Sequence, residues 1–391
     1  MTAGPAGPTG PSGPVSSGHA AVPLWRRRLA PADGQALGLW LATRLSLAVA
    51  TLLGAALLAD DDLSFAQRWA RWDFGHFESV TEVWYSGAQP DGYPLEAFFP
   101  GLPAVLWLLA RLGLPLEVGG LLVSLVAGAV AVVALRRLAD LEGGPGTGNR
   151  AVLALVLSPL ALFLAAPYTE ALFLACAVPA WLAARRGQWR RAALLATLAA
   201  TVRVNGLFLA AALAVELLTS PHRRWRDAPW LALPLLPAGL FSVLLWQVSG
   251  DPLRWLTAQQ EGWHRESRLP WDAWANTWAL AFPGPDGNPY WAWPLRLDLL
   301  AVVLGVVLAV VLAALRRWGD LTWVGLQVAV YATSYWYLSA SRFALLWWPL
   351  WVGLGVLTGR SRVLLWLYVA ISAPVMLTWT LAFTVDGRWA G

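Results

Sequence analysis

Ala97-Phe98-Phe99-Pro100-Gly101-Leu102-Pro103-Ala104-Val105-Leu106-Trp107-Leu108-Leu109-Ala110-Arg111-Leu112-Gly113-Leu114 decides how this chain is laid out. The run is apolar and about long enough to cross a bilayer, which takes roughly 20 residues of helix. If it crosses, Arg136-Arg137, at the far end of the next apolar segment, face outward. If it instead lies along the outer face, punctuated by Pro100 and Pro103, the segment Glu117–Leu138 runs inward. Arg136, Arg137 and Arg150 are then cytoplasmic, and so is every later arginine cluster. Arginine collects in cytoplasmic loops and sets orientation, so the second layout is taken.

Composition explains why a bilayer enters the argument at all. The 391 residues are 58% hydrophobic and 13% charged, with a mean hydropathy of +0.55. A soluble domain could not hide that much apolar surface. Every basic residue is Arg, and the formal charge of +5 is read as topology, not as a nucleic-acid partner. Cys176 is the lone cysteine, so there is no disulfide framework and no cysteine metal site. The 27 Trp are expected largely at membrane interfaces.

Residues 1–30, rich in Gly, Pro, Ser, Thr and Ala, read as a disordered cytoplasmic tail without a signal-peptide pattern. Residues 31–391 read as one transmembrane domain with outer loops at 60–116 and 250–295. Arg26-Arg27-Arg28 hold the N-terminus inside, so the span Ala36–Ala59 exits, with Arg44 snorkelling to the interface. From Leu63 to Tyr85 the pattern predicts one or two amphipathic surface helices, and Gly87–Pro94 is turn-rich. The later segments alternate: Ala151–Ala166, Tyr168–Ala184, Ala192–Val202, Gly206–Leu218, Ala228–Val248, Leu297–Leu315, Thr322–Leu338, Phe343–Leu357 and Val363–Thr384. The fold class is therefore an all-α polytopic membrane protein of about eleven transmembrane helices. The segments at 192–218 are short, and would be tilted or broken around Arg203-Val204-Asn205-Gly206.

This layout gathers costly polar residues on the outer side. Charges in spans are functional candidates by default. Glu170 either pairs with Arg203 to join two hairpins or serves a site. Arg342 either snorkels or serves a site, and His264 and Arg265 lie in a loop where a solvated role competes. Asp73, in Arg71-Trp72-Asp73-Phe74-Gly75-His76-Phe77, shares a helix face with His76, Phe77 and Val80. A buried acid among apolar neighbours demands a partner or a purpose. A sugar carried on a polyprenyl phosphate would use such a set. A carboxylate takes the proton of an acceptor hydroxyl attacking the anomeric carbon. Arg203, Arg265 or Arg342 would hold the phosphate through a bidentate fork. No cluster has metal-ligand spacing.

Arg71-Trp72-Asp73, Ala97-Phe98-Phe99-Pro100 with Pro103, Pro167-Tyr168-Thr169-Glu170-Ala171-Leu172-Phe173, Arg203-Val204-Asn205-Gly206, and Arg342-Phe343 ahead of Trp348-Pro349 together resemble the PIG-V-like mannosyltransferases of the C-type glycosyltransferase superfamily. The resemblance spans roughly residues 36–384. It implies an inverting transferase that takes a sugar, usually mannose, from a polyprenyl-phosphate donor outside the cytoplasm. Asp73 matches that superfamily's catalytic acid, and surface helices in the first outer loop are implied as well. Substrate contacts are expected from Trp72, His76, Phe99, Tyr168, Glu170, Arg203, Asn205, His264, Arg265 and Arg342. No cofactor and no metal are expected. The expected partners are the sugar donor, the bilayer and a lipid, glycan or protein acceptor. The Arg-rich, Lys-free composition suggests a GC-rich bacterium, and hence its plasma membrane. A transporter or flippase for a lipid-linked molecule, or a non-catalytic membrane subunit, are the competing readings.

Overall fold

The computed structural model describes residues 1–2, 30–86, 92–285 and 288–387. Most of the expected tail, its three arginines and most of Gly87–Pro94 lie outside them. Among the described residues the regular structure is helical, with one isolated bridge pair, Ser267–Ser334. In chain order, the long helix α1 (Pro31–Leu58) is followed by short α2 (Phe65–Trp69), α3 (Asp73–Val83) and α4 (Gly101–Arg111). Then come α5 (Leu116–Gly143), α6 (Thr147–Val156), α7 (Thr169–Arg185), α8 (Trp189–Val202) and α9 (Asn205–Thr219). A 3-10 stretch leads into α10 (Leu236–Ser249); α11 (Arg254–Trp263) and α12 (Pro270–Ala281) occupy the second long connection. The chain continues through α13 (Ala292–Ala314), α14 (Trp318–Ala332), α15 (Ala340–Phe343), α16 (Trp348–Arg360) and α17 (Arg362–Thr384).

Among the described residues, five helices are long and apolar enough to cross a membrane, at 31–58, 116–143, 225–249, 289–314 and 362–384. A pair bent by 72°, at 340–346 and 348–360, makes a sixth if it is one span. Pro349 in the first turn of α16 has no N–H to donate backward, so one straight ladder cannot run through. The remaining apolar segments do form helices, but α6 to α9 and α14 have only 10 to 17 residues. Each is short of the roughly 20 residues of a straight crossing. Their apolar runs are cut where the backbone must leave the helix, at Ser158-Pro159 and at Arg203-Val204. The deciding stretch yields α4, 11 residues. That is about 16 Å at 1.5 Å per residue, roughly half the hydrocarbon thickness.

Several of the arginines read as topology markers are engaged in ion pairs. Arg136 and Arg137 both reach Asp33 at the start of α1, at 2.8 and 2.7 Å. Arg185 holds Glu142, Glu216 and Asp320, and Arg317 holds Glu142 and Asp320. Four helix ends, from α5, α7, α9 and α14, are thereby tied at one end of the bundle. Breaking such a buried pair from one side costs about 3–5 kcal/mol. The start of α1 and the ends of α5, α7, α9 and α14 are thus bonded into two ion-paired groups.

Close packing takes some of the tryptophans, while others, among them Trp246, Trp271, Trp293 and Trp366, are exposed. Trp40, Trp181, Trp189, Trp323, Trp347 and Trp348 are among the largest fully buried side chains. Trp40 donates to Leu125 O (3.1 Å) over Gly128, where a Cβ would lie 2.1 Å from the indole. Arg44 does not snorkel. It lies over the Trp40 ring (4.2 Å) and donates to Ala161 O (3.2 Å), a carbonyl of the 3-10 stretch Ala161–Leu164.

Candidate functional site

Asp73 is the first residue of α3, and the chain enters that helix under strain. Trp72 has φ 50° and ψ −115°, a conformation that costs a bulky residue on the order of 1–3 kcal/mol. Two long-range bonds flank it: Trp72 Nε1 donates to Gly387 O (2.9 Å), and Tyr168 Oη donates to Arg71 O (2.7 Å). Phe74, Phe77 and Val80 anchor α3 in the core. The Asp73 carboxylate therefore sits half-buried at a helix N-terminus, where unpaired N–H groups and the helix dipole favour negative charge.

Three other predicted residues converge on it. Arg342 Nη1 meets Asp73 Oδ2 at 2.6 Å, and Arg342 Nε meets Glu170 Oε1 at 2.6 Å. Arg203 Nη1 meets the same Glu170 oxygen at 2.5 Å and Thr169 Oγ1 at 2.8 Å. The Arg342 guanidinium also lies over the rings of Tyr168 (4.5 Å) and Phe163 (4.9 Å), and Arg203 lies over Phe343 (4.6 Å). Glu170 is fully buried. Glu170 pairs with Arg203, as one reading expected, and through Arg342 it is one step from Asp73.

The other candidates divide. His76, one turn beyond Asp73, stacks on Phe98 (4.9 Å) and meets Tyr93 (5.5 Å) and Trp263 (5.6 Å) edge-on. Phe99 belongs elsewhere, packed on Phe241 (4.9 Å) within a second cluster that includes Val80, Tyr85 and Leu95. In the Phe-Phe-Pro run it is Phe98 that touches His76. Asn205 Nδ2 donates to Gln327 Oε1 at 3.2 Å. His264 is exposed and in a left-handed conformation, near Tyr335 and Trp336. Arg265 donates to Leu338 O (2.6 Å) and lies over Tyr331 (4.8 Å).

Asp298 was missed in the sequence. It is fully buried in α13, and it accepts bonds from Ser339 N, Ser341 N and Ser341 Oγ. The signal was there: an acid inside an apolar span is flagged by the same rule that singled out Glu170. Phe98 and Trp263 were missed because aromatic residues abound here and spacing cannot rank them.

Glu170 Oε2, Asn205 Oδ1 and Arg265 Nη1 are buried polar atoms with no hydrogen-bond partner among the described residues. Buried polar groups are normally satisfied, so these offer an acceptor, another acceptor and a cationic donor to a polar ligand. Two other groups nearby are shifted by burial. Burial first, then the charges of Glu82 and Glu117, raises Glu78 above its ordinary carboxyl value. Burial, then Glu96, pushes the Tyr85 phenol up, and its hydroxyl donates to Phe98 O at 2.8 Å. Among the described residues no three His, Cys, Asp or Glu side chains converge as metal ligands.

No family model matches the chain. Over 152 residues it is 36% identical to GPI alpha-1,6-mannosyltransferase 2 of Mus musculus and 36% to that of Rattus norvegicus. The protein of the same name from Cricetulus griseus is 35% identical over 152 residues. The chain is similar to mannosyltransferases. The likeness takes in 35% of this chain and spans 29% of each of these relatives.

Proposed function

We propose that the protein is an inverting mannosyltransferase. It moves mannose from a polyprenyl-phosphate donor to an acceptor hydroxyl, with Asp73 as general base. The observation that carries the reading is the chain of bonds from Asp73 through Arg342 and Glu170 to Arg203, drawn from four separate parts of the sequence. Arg342 binds one oxygen of Asp73 and leaves the other to take a proton. As the acceptor oxygen bonds to the anomeric carbon, its hydrogen passes to Asp73. The bond from that carbon to the phosphate oxygen breaks, and polyprenyl phosphate leaves as a monoester anion. Arg203, with nitrogens beyond the one shared by Glu170 and Thr169, and Arg265, with its free Nη1, hold that anion. Glu170 Oε2 and Asn205 Oδ1 accept hydroxyls of the sugar. In this reading the chain makes eleven crossings of a bacterial plasma membrane. The tail is cytoplasmic and the site extracytoplasmic, and α2, α3 and α4 lie along the outer face.

The test is transfer from radiolabelled polyprenyl-phosphomannose in membranes holding equal amounts of wild type and Asp73→Asn. Asparagine keeps the size and an oxygen for Arg342 but cannot take the proton. The expected loss is about 100- to 10,000-fold, the range for removing a positioned base. Equal transfer by both proteins would remove Asp73 from the role. A wild type that moves the lipid across vesicles without transferring the sugar would favour a flippase.

A further inference from the structure

Arg342 is the junction of the site, yet its own backbone has no regular helix behind it. It is the third residue of the four-residue helix α15, which starts after Ser339, a non-glycine residue at φ 67° and ψ 12°. A left-handed serine is uncommon and persists only where its surroundings fix it. Here the fixing group is the Asp298 carboxylate. Its Oδ2 accepts from Ser339 N at 3.1 Å, and its Oδ1 accepts from Ser341 N at 2.8 Å and Ser341 Oγ at 2.6 Å. One residue upstream, Arg265 holds Leu338 O at 2.6 Å.

We infer that Asp298 is a positioning residue for transfer: it acts through the Ser339–Ser341 turn to aim the Arg342 guanidinium at Asp73. The inference rests on Asp73 and Arg342 serving the proposed reaction. Three donors on one carboxylate exceed what a helix needs for its own folding, since α13 is otherwise an apolar span. The bonds point at the backbone of the two residues around which Arg342 is set, not at the packing of α13 against its neighbours. A carboxylate suits this task because both its oxygens accept. An amide at the same place accepts on one side only, and turns its NH2 toward either Ser339 N–H or the two Ser341 donors.

The experiment measures turnover and donor KM for wild type, Asp298→Asn, Arg342→Lys and the double variant, with radiolabelled polyprenyl-phosphomannose in membranes of the native host, which supply the acceptor. Asp298→Asn is expected to lower turnover about 10- to 150-fold, the effect of one lost charge-assisted hydrogen bond. Donor KM should stay within about twofold of wild type, since the phosphate ligands are untouched. In the Arg342→Lys background the same substitution should cost less than about threefold, because residues acting as one unit are not additive. Equal fold losses in both backgrounds would overturn the inference, as would wild-type turnover or a rise in KM alone. If Asp298→Asn does not accumulate, Ser341→Ala removes only the hydroxyl bond and carries the same test. Its expected loss is about 3- to 10-fold, and additivity with Arg342→Lys would again overturn it. Failure of the underlying reading is distinct, because Asp73→Asn would then transfer as well as wild type.

Discussion

Replacing Arg342 by lysine keeps the charge and removes the fork. The guanidinium makes two bonds of 2.6 Å, one to Asp73 and one to Glu170, from two different nitrogens. An ammonium is a compact point charge on a flexible stem, and cannot reach both carboxylates in that planar arrangement. Glu170 is the deeper partner and is fully buried, so leaving it without a counter-charge is the costlier loss. Lysine should therefore stay with Glu170 and release Asp73. A hydrogen bond between charged groups contributes about 1.5–3 kcal/mol. If that is lost in the transition state, turnover falls roughly 10- to 150-fold at 1.36 kcal/mol per decade. The lost stacking over Tyr168 and Phe163 acts on stability, at about 0.5–2 kcal/mol. Initial rates with radiolabelled polyprenyl-phosphomannose, at matched protein, read the first effect. A thermal-inactivation curve reads the second. Turnover within threefold of wild type would show that Asp73 needs no orientation by Arg342, and the site as described would fail.

Other substitutions separate neighbours that look alike in the sequence. Phe98→Ala should reduce transfer more than Phe99→Ala does, because Phe98 walls His76. Phe99→Ala should cost about 3–5 kcal/mol of stability, since it empties a packed cluster; equal behaviour of the two in activity and thermal assays would contradict this division. Gly206→Ala places a Cβ 2.2 Å from Ala200 Cα, so it should destabilise the α8–α9 turn by about 1–3 kcal/mol, read as a lower inactivation temperature. A cysteine introduced at position 115, with Cys176 replaced, should react with an impermeant reagent from outside; labelling only from the cytoplasm would overturn the placement of α4.

The long apolar helices were legible because 20 or more apolar residues admit few alternatives. The short ones were legible as segments but not as lengths. Hydropathy averages over Ser158-Pro159 and Arg203-Val204, whereas the backbone stops there. Arginine position gave the alternation that brings Asp73, Glu170, Arg203 and Arg342 to one end, a grouping no local pattern contains. The pairing of Arg342 with Asp73 was not legible. It depends on the turn at Ser339, which depends on Asp298, and carboxylate-to-backbone bonds leave no periodic trace. Phe99 was chosen over Phe98 for a related reason: in an irregular stretch, a shift of one residue reverses which ring faces the site.

The bond between Asp73 and Arg342 joins residues 269 positions apart. At synthesis rates of about 5–20 residues per second, Asp73 emerges roughly 15–50 s before its partner exists. The growing chain therefore passes most of its time on the ribosome with Asp73 lacking its Arg342 partner and the Glu170 carboxylate half-matched. A nascent or truncated chain that ends before residue 342 lacks the ion pairs that Arg342 makes with Asp73 and Glu170. The cluster is completed only once residue 342 is made, so a shorter copy lacks the arrangement on which the proposed transfer depends.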